Sequence, residues 1–150
     1  SKLYKEMISS AIKKDYPVLI DIWESAVKAT HHFLSDEDFE FYKAHIPIYF
    51  QHVSLYKYID DKGIIKGFLG IEDDSIEMLF VDNSSRGTGI GKILLDYAVT
   101  KLNARRVDVN EHNTQALNFY FHFGFEEVDR SEYDGEGKEY PILHLMKTVN

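Results

Sequence analysis

The chain has 150 residues, a formal net charge of −8 and no cysteine. This length suits one domain with a substantial core, and the 10 Phe, 10 Tyr and 1 Trp residues argue against a disordered chain. The absence of cysteine excludes disulfides and a thiol nucleophile, and the acidic charge argues against nucleic acid as a partner. Without a membrane-spanning apolar run or a signal peptide, the sequence predicts a cytoplasmic protein with no membrane partner and one domain over residues 1–150.

Two helices are predicted in the first third of the chain. The first covers Asp15–Thr30, because apolar residues recur there at helical spacing and Pro17 falls in the first turn, where proline is tolerated. The second begins after Ser35, an N-cap residue followed by acidic residues, and runs to about His52. Pro47 is expected to bend or interrupt this second helix.

Strands are predicted around two turns that follow. Asp60–Gly63 is a hairpin signal between strands over Leu55–Ile59 and Ile64–Ile71, and Glu72–Ser75 is a second turn. A helix capped by Asn113 ends near Gly124. The remaining predicted strands cover residues 3–9, 78–81, 106–110, 125–133 and 140–148.

The stretch Ile76–Tyr97 is the most informative part of the sequence. An apolar run, short enough to be a buried strand, is followed by the turn-forming residues Asp82–Ser85. Arg86–Gly91 then opens a helix with apolar residues at helical spacing. A glycine-rich turn at a helix N-terminus binds anions, because the first-turn N–H groups have no acceptor inside the helix and the dipole adds positive potential.

This turn fits neither of two familiar phosphate loops. A Walker loop requires glycine where Arg86 stands, and a dinucleotide fingerprint requires glycine where Lys92 stands. The remaining pattern, Arg86-x-x-Gly89-x-Gly91, resembles the pyrophosphate loop of the GNAT superfamily of N-acetyltransferases. The alternative is a helix N-terminus with incidental glycines, although three glycines in a first turn would destabilise the helix.

A second segment resembles the same superfamily. Asn110–Tyr120 and the following Gly124-Phe125 are similar to its pattern N-x-x-A-x-x-F/L-Y-x-x-x-G-F. Further likenesses, at Ala29–Leu34 and in residues 131–141, are to small stand-alone bacterial members of the YjaB type. The resemblance implies an α+β fold, with a mostly antiparallel central sheet, one parallel β-α-β crossover and about four flanking helices.

By this resemblance the protein transfers an acetyl group from acetyl-CoA directly to a primary amine of a small molecule, a peptide or a protein. The backbone of the strand Leu79, Phe80 and Val81 is expected to pair with the pantetheine arm. Asn113 is expected to bind that arm, to act as a plain N-cap, or to do both. The loop residues expected to hold the pyrophosphate are Arg86, Gly87, Thr88, Gly89, Ile90, Gly91 and Lys92, with Arg86 and Lys92 alternatively being solvated surface cations.

Tyr120 is the predicted general acid and also a cofactor contact. A phenol with a pKa near 10 keeps its proton at neutral pH and can donate it to the departing thiolate. The alternative is a core aromatic residue on an amphipathic helix. Glu77 is the first choice for the general base, with Asp108, Glu111 or no base at all as alternatives.

The resemblance implies that His31 and His32 border the acceptor pocket, because they lie between the first two helices, which border that pocket in the GNAT fold. A metal site is not expected, since no further ligands stand at suitable spacing. No Ser-His-Asp arrangement is visible in the sequence. The alternatives to an enzyme are a catalytically idle CoA-binding sensor and an interaction module, and a homodimer formed by the C-terminal strands is compatible with the fold.

Overall fold

The computed structural model describes residues 7–148, which form two compact units divided after Ala104. The first unit contains a mainly antiparallel set of strands with three helices, and the second contains three strands with one helix. In the first unit the elements are β1 Ile8–Ser10, α1 Tyr16–Thr30, α2 Asp36–Phe50, β2 Ser54–Ile59, β3 Ile65–Glu72, β4 Ser75–Val81 and α3 Ile90–Lys101. In the second unit they are β5 Arg106–Asn110, α4 Thr114–His122, β6 Phe125–Ser131 and β7 Ile142–Lys147.

Strands β1 to β4 pair in chain order, each antiparallel to the next. The hairpin between β2 and β3 is closed by Asp60, whose Oδ1 accepts hydrogen bonds of 2.9 Å from the N–H groups of both Lys62 and Ile64. Gly63 has a φ of +80° in this turn, and Asp73 has a φ of +53° in the next one. Both predicted turns are therefore confirmed.

Helices α1 and α2 build the core of the first unit together with β2 and β3. Trp23 of α1 stacks on Phe39 of α2 with ring centroids 5.2 Å apart. Ser35 caps α2 as predicted, because its side chain accepts a hydrogen bond from the N–H of Asp38. Of the two effects expected at Pro47, a bend or an interruption, the interruption does not occur, since the helix continues to Phe50, which is only 2% exposed and anchors the last turn in the core.

Gly67 of β3 allows α3 to lie close to the sheet. A Cβ atom at this position would stand 3.0 Å from the carbonyl oxygen of Phe80 and 3.1 Å from Cδ1 of Leu94. It would also stand 3.2 Å from Cγ2 of Ile90, the first residue of α3. The missing side chain therefore fixes how near the N-terminal turn of α3 comes to β3 and β4.

In the second unit β7 lies between β5 and β6 and is antiparallel to both. Valines of β5 and leucines of β7 are buried on one face, so the alternate residues Asp108 and His144 lie on the opposite face. Gly124, with a φ of +89°, ends α4 as predicted. Asp134 orders the loop between β6 and β7, because its Oδ1 accepts from the N–H groups of Glu136 and Lys138.

The predicted order of elements is confirmed within the described residues, with differences at some ends. The first strand begins at Ile8, and most of its predicted range, residues 3–6, lies outside the described residues. β6 and β7 are shorter than predicted, whereas β5 has the predicted bounds. Across residues 7–148, no helix combines the length and apolar character needed to cross a membrane.

Candidate active site

The glycine-rich loop Arg86–Gly89 lies between β4 and the first turn of α3. A short 3-10 turn over Asn83–Ser85 precedes this loop. All four residues of the loop are exposed. Gly87 and Gly89 have φ angles of +77° and +88°, in the left-handed region that glycine adopts without strain. The helix start was predicted too early, because α3 begins only at Ile90 and these two glycines precede it.

The first turn of α3 presents backbone N–H groups that have no acceptor inside the helix. The first helical hydrogen bond runs from the N–H of Ile93 to the carbonyl of Gly89, at 3.1 Å, so the three N–H groups before it point out of the helix end. A Cβ built at Gly87 or Gly89 meets no atom of the described residues within 4 Å. The exposed cations Arg86 and Lys92 flank these donors, and the whole arrangement suits a phosphate.

A hydrogen-bond network joins α1 to the turn before the loop. The hydroxyl oxygen of Ser25 accepts a hydrogen bond of 3.1 Å from the N–H of Asn83. Its one hydrogen is shared between the carbonyl of Ile22, at 3.1 Å, and Oδ1 of Asp82, at 3.2 Å. Asp82 also accepts a short hydrogen bond from the hydroxyl of Ser84. Because Ser25 belongs to the core-packed helix α1, it positions the turn from which the glycine-rich loop departs.

Replacing Ser25 by alanine is expected to raise the Kd for acetyl-CoA about fivefold, because the hydrogen bond from the N–H of Asn83, worth about 1 kcal/mol, no longer holds the turn. Calorimetric titration measures this change. Thr100→Ala is the matched control, since it removes a side-chain hydrogen bond to the carbonyl of Asp96 within α3, away from the loop. An unchanged Kd in Ser25→Ala would show that the turn keeps its shape without this residue.

β4 is confirmed as a strand, but it is less buried than its apolar sequence suggested. Leu79, Phe80 and Val81 are each partly exposed, and Phe80 packs on Phe68 with ring centroids 5.7 Å apart. On the β3 side these residues pair with Leu69, Phe68 and Gly67. Glu77 is exposed on the same strand, so it lies in a solvated environment.

Asn113 and Tyr120 lie at opposite ends of α4. The side chain of Asn113 accepts a hydrogen bond of 3.2 Å from the N–H of Ala116, so its N-cap role is confirmed. Tyr120 is 6% exposed, and its ring packs edge to face on Phe119 and Phe125 at centroid distances of 5.2 and 5.4 Å. Burial raises the pKa of the Tyr120 phenol above its ordinary value, so the group holds its proton throughout the neutral range.

The two alternative bases of the second unit both have charged or polar partners. Glu111 accepts two hydrogen bonds from Arg130, at 2.6 and 3.2 Å, which lower the pKa of this carboxyl below its ordinary value. A base for an amine requires the opposite shift, so Glu111 is poorly suited to that role. Asp108 accepts from Nδ1 of His144 at 2.7 Å.

The ring of His31 is partly buried at the C-terminal end of α1, whereas that of His32 is exposed. Thr30 donates its hydroxyl hydrogen to the carbonyl of Ala26 at 2.8 Å, so the same oxygen accepts from Nδ1 of His31 at 2.7 Å. Burial, with a smaller effect from His32, lowers the pKa of His31 to about 4. In the described part of the chain, no cluster of three or more potential metal ligands is found.

We expect His31 to make the protein less stable in mild acid. Its folded pKa of about 4 lies below the ordinary value of 6.5, so the unfolded chain binds the extra proton first as the pH falls. Stability from this residue is full above pH 6.5 and falls as the pH drops towards 4, by roughly 1–2 kcal/mol between pH 7 and 5. In urea unfolding at pH 7 and pH 5, the His31→Asn variant should lack this decrease in the free energy of unfolding.

The exposed neighbour provides the control for this experiment. His32→Asn removes the same kind of side chain and should retain most of the acid-dependent loss of stability. If the parent protein and His31→Asn lost equal stability between pH 7 and 5, His31 would not be the group that takes up the proton.

Comparison with known proteins agrees with these features. A family model described as an acetyltransferase (GNAT) domain matches residues 18–140. The peptidyl-lysine N-acetyltransferase YjaB of Salmonella typhimurium is 38% identical over 128 residues, which cover 85% of this chain and 88% of that protein. The protein of the same name from Escherichia coli is 34% identical over 127 residues, covering 85% of this chain and 86% of its own length.

Solved structures show the same fold. The solution structure of apo-form YjaB from Escherichia coli has a TM-score of 0.82 and 31% identity, and the match covers 95% of this chain and 97% of that one. The crystal structure of PaiA N-acetyltransferase from Thermoplasma acidophilum in complex with coenzyme A has a TM-score of 0.68 and 21% identity. This match covers 95% of this chain and 98% of that one. The predicted α+β GNAT fold and the predicted transfer of an acetyl group to an amine are thereby confirmed. The chain belongs to the GNAT family of acetyltransferases.

Proposed function

We propose that the protein is an acetyl-CoA-dependent N-acetyltransferase whose acceptor is the side-chain amine of lysine in a peptide or protein. The observation that carries the cofactor assignment is the exposed loop of Gly87 and Gly89, with its outward-pointing N–H groups at the start of α3. The acceptor assignment is supported by the relatives named peptidyl-lysine N-acetyltransferases, which match most of the chain. A net charge of −8 also favours encounter with a cationic amine.

The residues of the loop fit the diphosphate of acetyl-CoA. Backbone N–H groups of Arg86–Lys92 would donate to the phosphate oxygens, and the exposed side chains of Arg86 and Lys92 would add positive charge. The backbone of Leu79–Val81 would pair with the pantetheine arm as an added strand. Asn113 would bind the same arm through the part of its amide that does not cap α4.

Acetyl-CoA supplies the activated acetyl group, and the protein supplies position and proton transfer. Tyr120 would donate its phenolic proton to the thiolate as the carbon–sulfur bond breaks, since burial keeps that proton in place. Glu77 is exposed, so it would act by holding a water molecule that takes the proton from the attacking amine. His31, neutral at pH 7, would line the pocket for the acceptor together with His32.

We further propose that residues 1–150 act as one GNAT domain. The family model spans residues 18–140 and thus includes most of both compact units. A single catalytic domain also agrees with the length of the relatives, because the YjaB matches cover 86–88% of those proteins.

The acceptor is tested with pairs of peptides that differ only in Lys or Arg and have blocked N-termini. The expected result is thiol release and one acetyl group on the lysine peptide, located by mass spectrometry, with none on the arginine peptide. Free lysine and a polyamine serve as small-molecule acceptors in the same assay. Turnover of a small amine at least tenfold faster than any lysine peptide would replace the proposed acceptor, and cofactor binding without any transfer would support an idle CoA-binding module.

A further inference from the structure

Three side chains in the second unit form a continuous hydrogen-bonded chain on one face of its sheet. Oδ1 of Asp108 lies 2.7 Å from Nδ1 of His144, and Nε2 of the same histidine lies 2.6 Å from Oγ of Ser131. The three residues come from β5, β7 and β6, so they are up to 36 positions apart in the sequence. No such arrangement was visible in the sequence, because the three residues are brought together only by the folded sheet.

Strand register explains why these residues meet. Asp108 lies directly opposite His144 across the pair β5 and β7. On the other side of His144 stands Asp129 of β6, and Ser131 follows two residues later on the same face. Asp129 accepts a hydrogen bond of 2.8 Å from the N–H of Arg130. The carboxylate that is hydrogen-bonded to the imidazole of His144 is that of Asp108.

The carboxylate at one end of these hydrogen-bonded side chains determines the direction of both hydrogen bonds. A carboxylate accepts, so neutral His144 donates from Nδ1 to Asp108, and its Nε2 carries the lone pair. Ser131 must then donate its hydroxyl hydrogen to Nε2. This is the arrangement in which an imidazole removes the proton of a serine that attacks an electrophile.

We propose that Ser131 is an activated nucleophile that is acylated by activated acyl donors, thioesters or aryl esters, with His144 as its base and Asp108 as the residue that orients the base. The site uses none of the residues that the proposed acetyltransferase mechanism employs, since Asp108 was only an alternative to Glu77 as the base, and it does not depend on that function. In the reaction Oγ of Ser131 forms a bond to the acyl carbon, and the bond to the leaving group breaks with its electron pair. The serine proton moves to His144 and then to the leaving group or to water.

The surroundings support access of a donor to this serine. The His144 side chain is 31% exposed and that of Asp108 is 59% exposed, so the chain of hydrogen bonds lies open on the sheet face. β6 is the last strand in the sheet order, and the outer side of such a strand presents backbone N–H groups that can stabilise an oxyanion. The pair of hydrogen bonds between Arg130 and Glu111 holds the backbone next to Ser131.

The test is labelling of the full-length protein with a fluorophosphonate probe, followed by mass spectrometry to locate the modified serine. We expect one label, on Ser131, forming at least tenfold more slowly in His144→Gln and several-fold more slowly in Asp108→Asn. Ser131→Ala should not be labelled, and Ser35→Ala, which removes the N-cap serine of α2, should be labelled at the parent rate. Thermal unfolding of each variant shows whether the fold is retained.

A second readout uses p-nitrophenyl acetate, which carries the acyl group itself. A burst of p-nitrophenolate of one equivalent per chain, together with an acetyl group on Ser131, would support the proposal. Labelling that is spread over several serines, or a rate unchanged by His144→Gln in a folded protein, would overturn it. Because neither probe involves coenzyme A or an amine, failure here leaves the proposed acetyltransferase function intact, and failure of that function leaves this site intact.

Discussion

Replacing Tyr120 by phenylalanine is expected to lower kcat by about 10²- to 10³-fold and to leave the Kd for acetyl-CoA nearly unchanged. The substitution removes the phenolic proton but keeps the ring that packs on Phe119 and Phe125. Without the proposed general acid the thiolate would leave without a proton, which would slow the chemical step and not binding. Steady-state thiol release and calorimetric titration measure the two quantities separately.

The alkaline side of the pH profile provides an independent check on the same residue. Burial raises the pKa of Tyr120, so the acid form persists and kcat should not fall through loss of this proton below about pH 10. The matched control is Tyr58→Phe, since Tyr58 is 7% exposed, similar to the 6% of Tyr120. Equal losses of kcat in the two variants would indicate a general structural effect, and full turnover in Tyr120→Phe would exclude this residue as the acid.

Replacing Gly89 by valine is expected to weaken acetyl-CoA binding by about 10- to 100-fold, because a β-branched residue at a φ of +88° is strained by about 1–3 kcal/mol. No atom of the described residues lies within 4 Å of the new Cβ, so the effect comes from the backbone angle and not from a clash within the protein. Relief of the strain would turn the N–H groups of the loop away from the phosphate. Calorimetric titration with acetyl-CoA and with CoA measures the loss.

Gly137 provides a control with the same backbone geometry in a different loop. It has a φ of +78°, and a Cβ built there also lies more than 4 Å from every atom in the described part of the chain. Gly137→Val should therefore lose similar conformational stability, measured by urea unfolding, while retaining the parent Kd. An unchanged Kd in Gly89→Val would show that the loop does not bind the cofactor through its present conformation.

Much of the fold could be predicted because its signals are local. The N-cap Ser35, the hairpin residue Asp60 and the helix-ending Gly124 each act within about four positions of themselves, and the structure confirms all three. The start of α3 could not be placed, because the loop before it depends on Ser25, which lies 57 positions from its partner Asp82. The periodicity of a sequence cannot predict a contact between residues so far apart in the chain.

In the candidate site too, features set by neighbouring residues could be predicted, whereas features set by residues far apart in the sequence could not. The glycines of the loop were visible as a pattern, whereas the environment of each acidic residue was not. Glu111 is paired with Arg130, 19 positions away, and Asp108 with His144, 36 positions away. Strand register places Asp108 opposite His144, and register depends on how the turns and the buried faces of several strands combine.

The outward-pointing N–H groups at the start of α3 also have a consequence for hydrogen–deuterium exchange. The amide of Ile93 is held by the carbonyl of Gly89, so exchange there requires opening of the helix, whereas the amides of Ile90–Lys92 exchange from the folded state. Phosphate oxygens bound at this end would accept those hydrogens and slow their exchange. Slower exchange confined to these three amides would therefore show that phosphate is bound at the loop. This measurement identifies the amides involved and requires no assay of turnover.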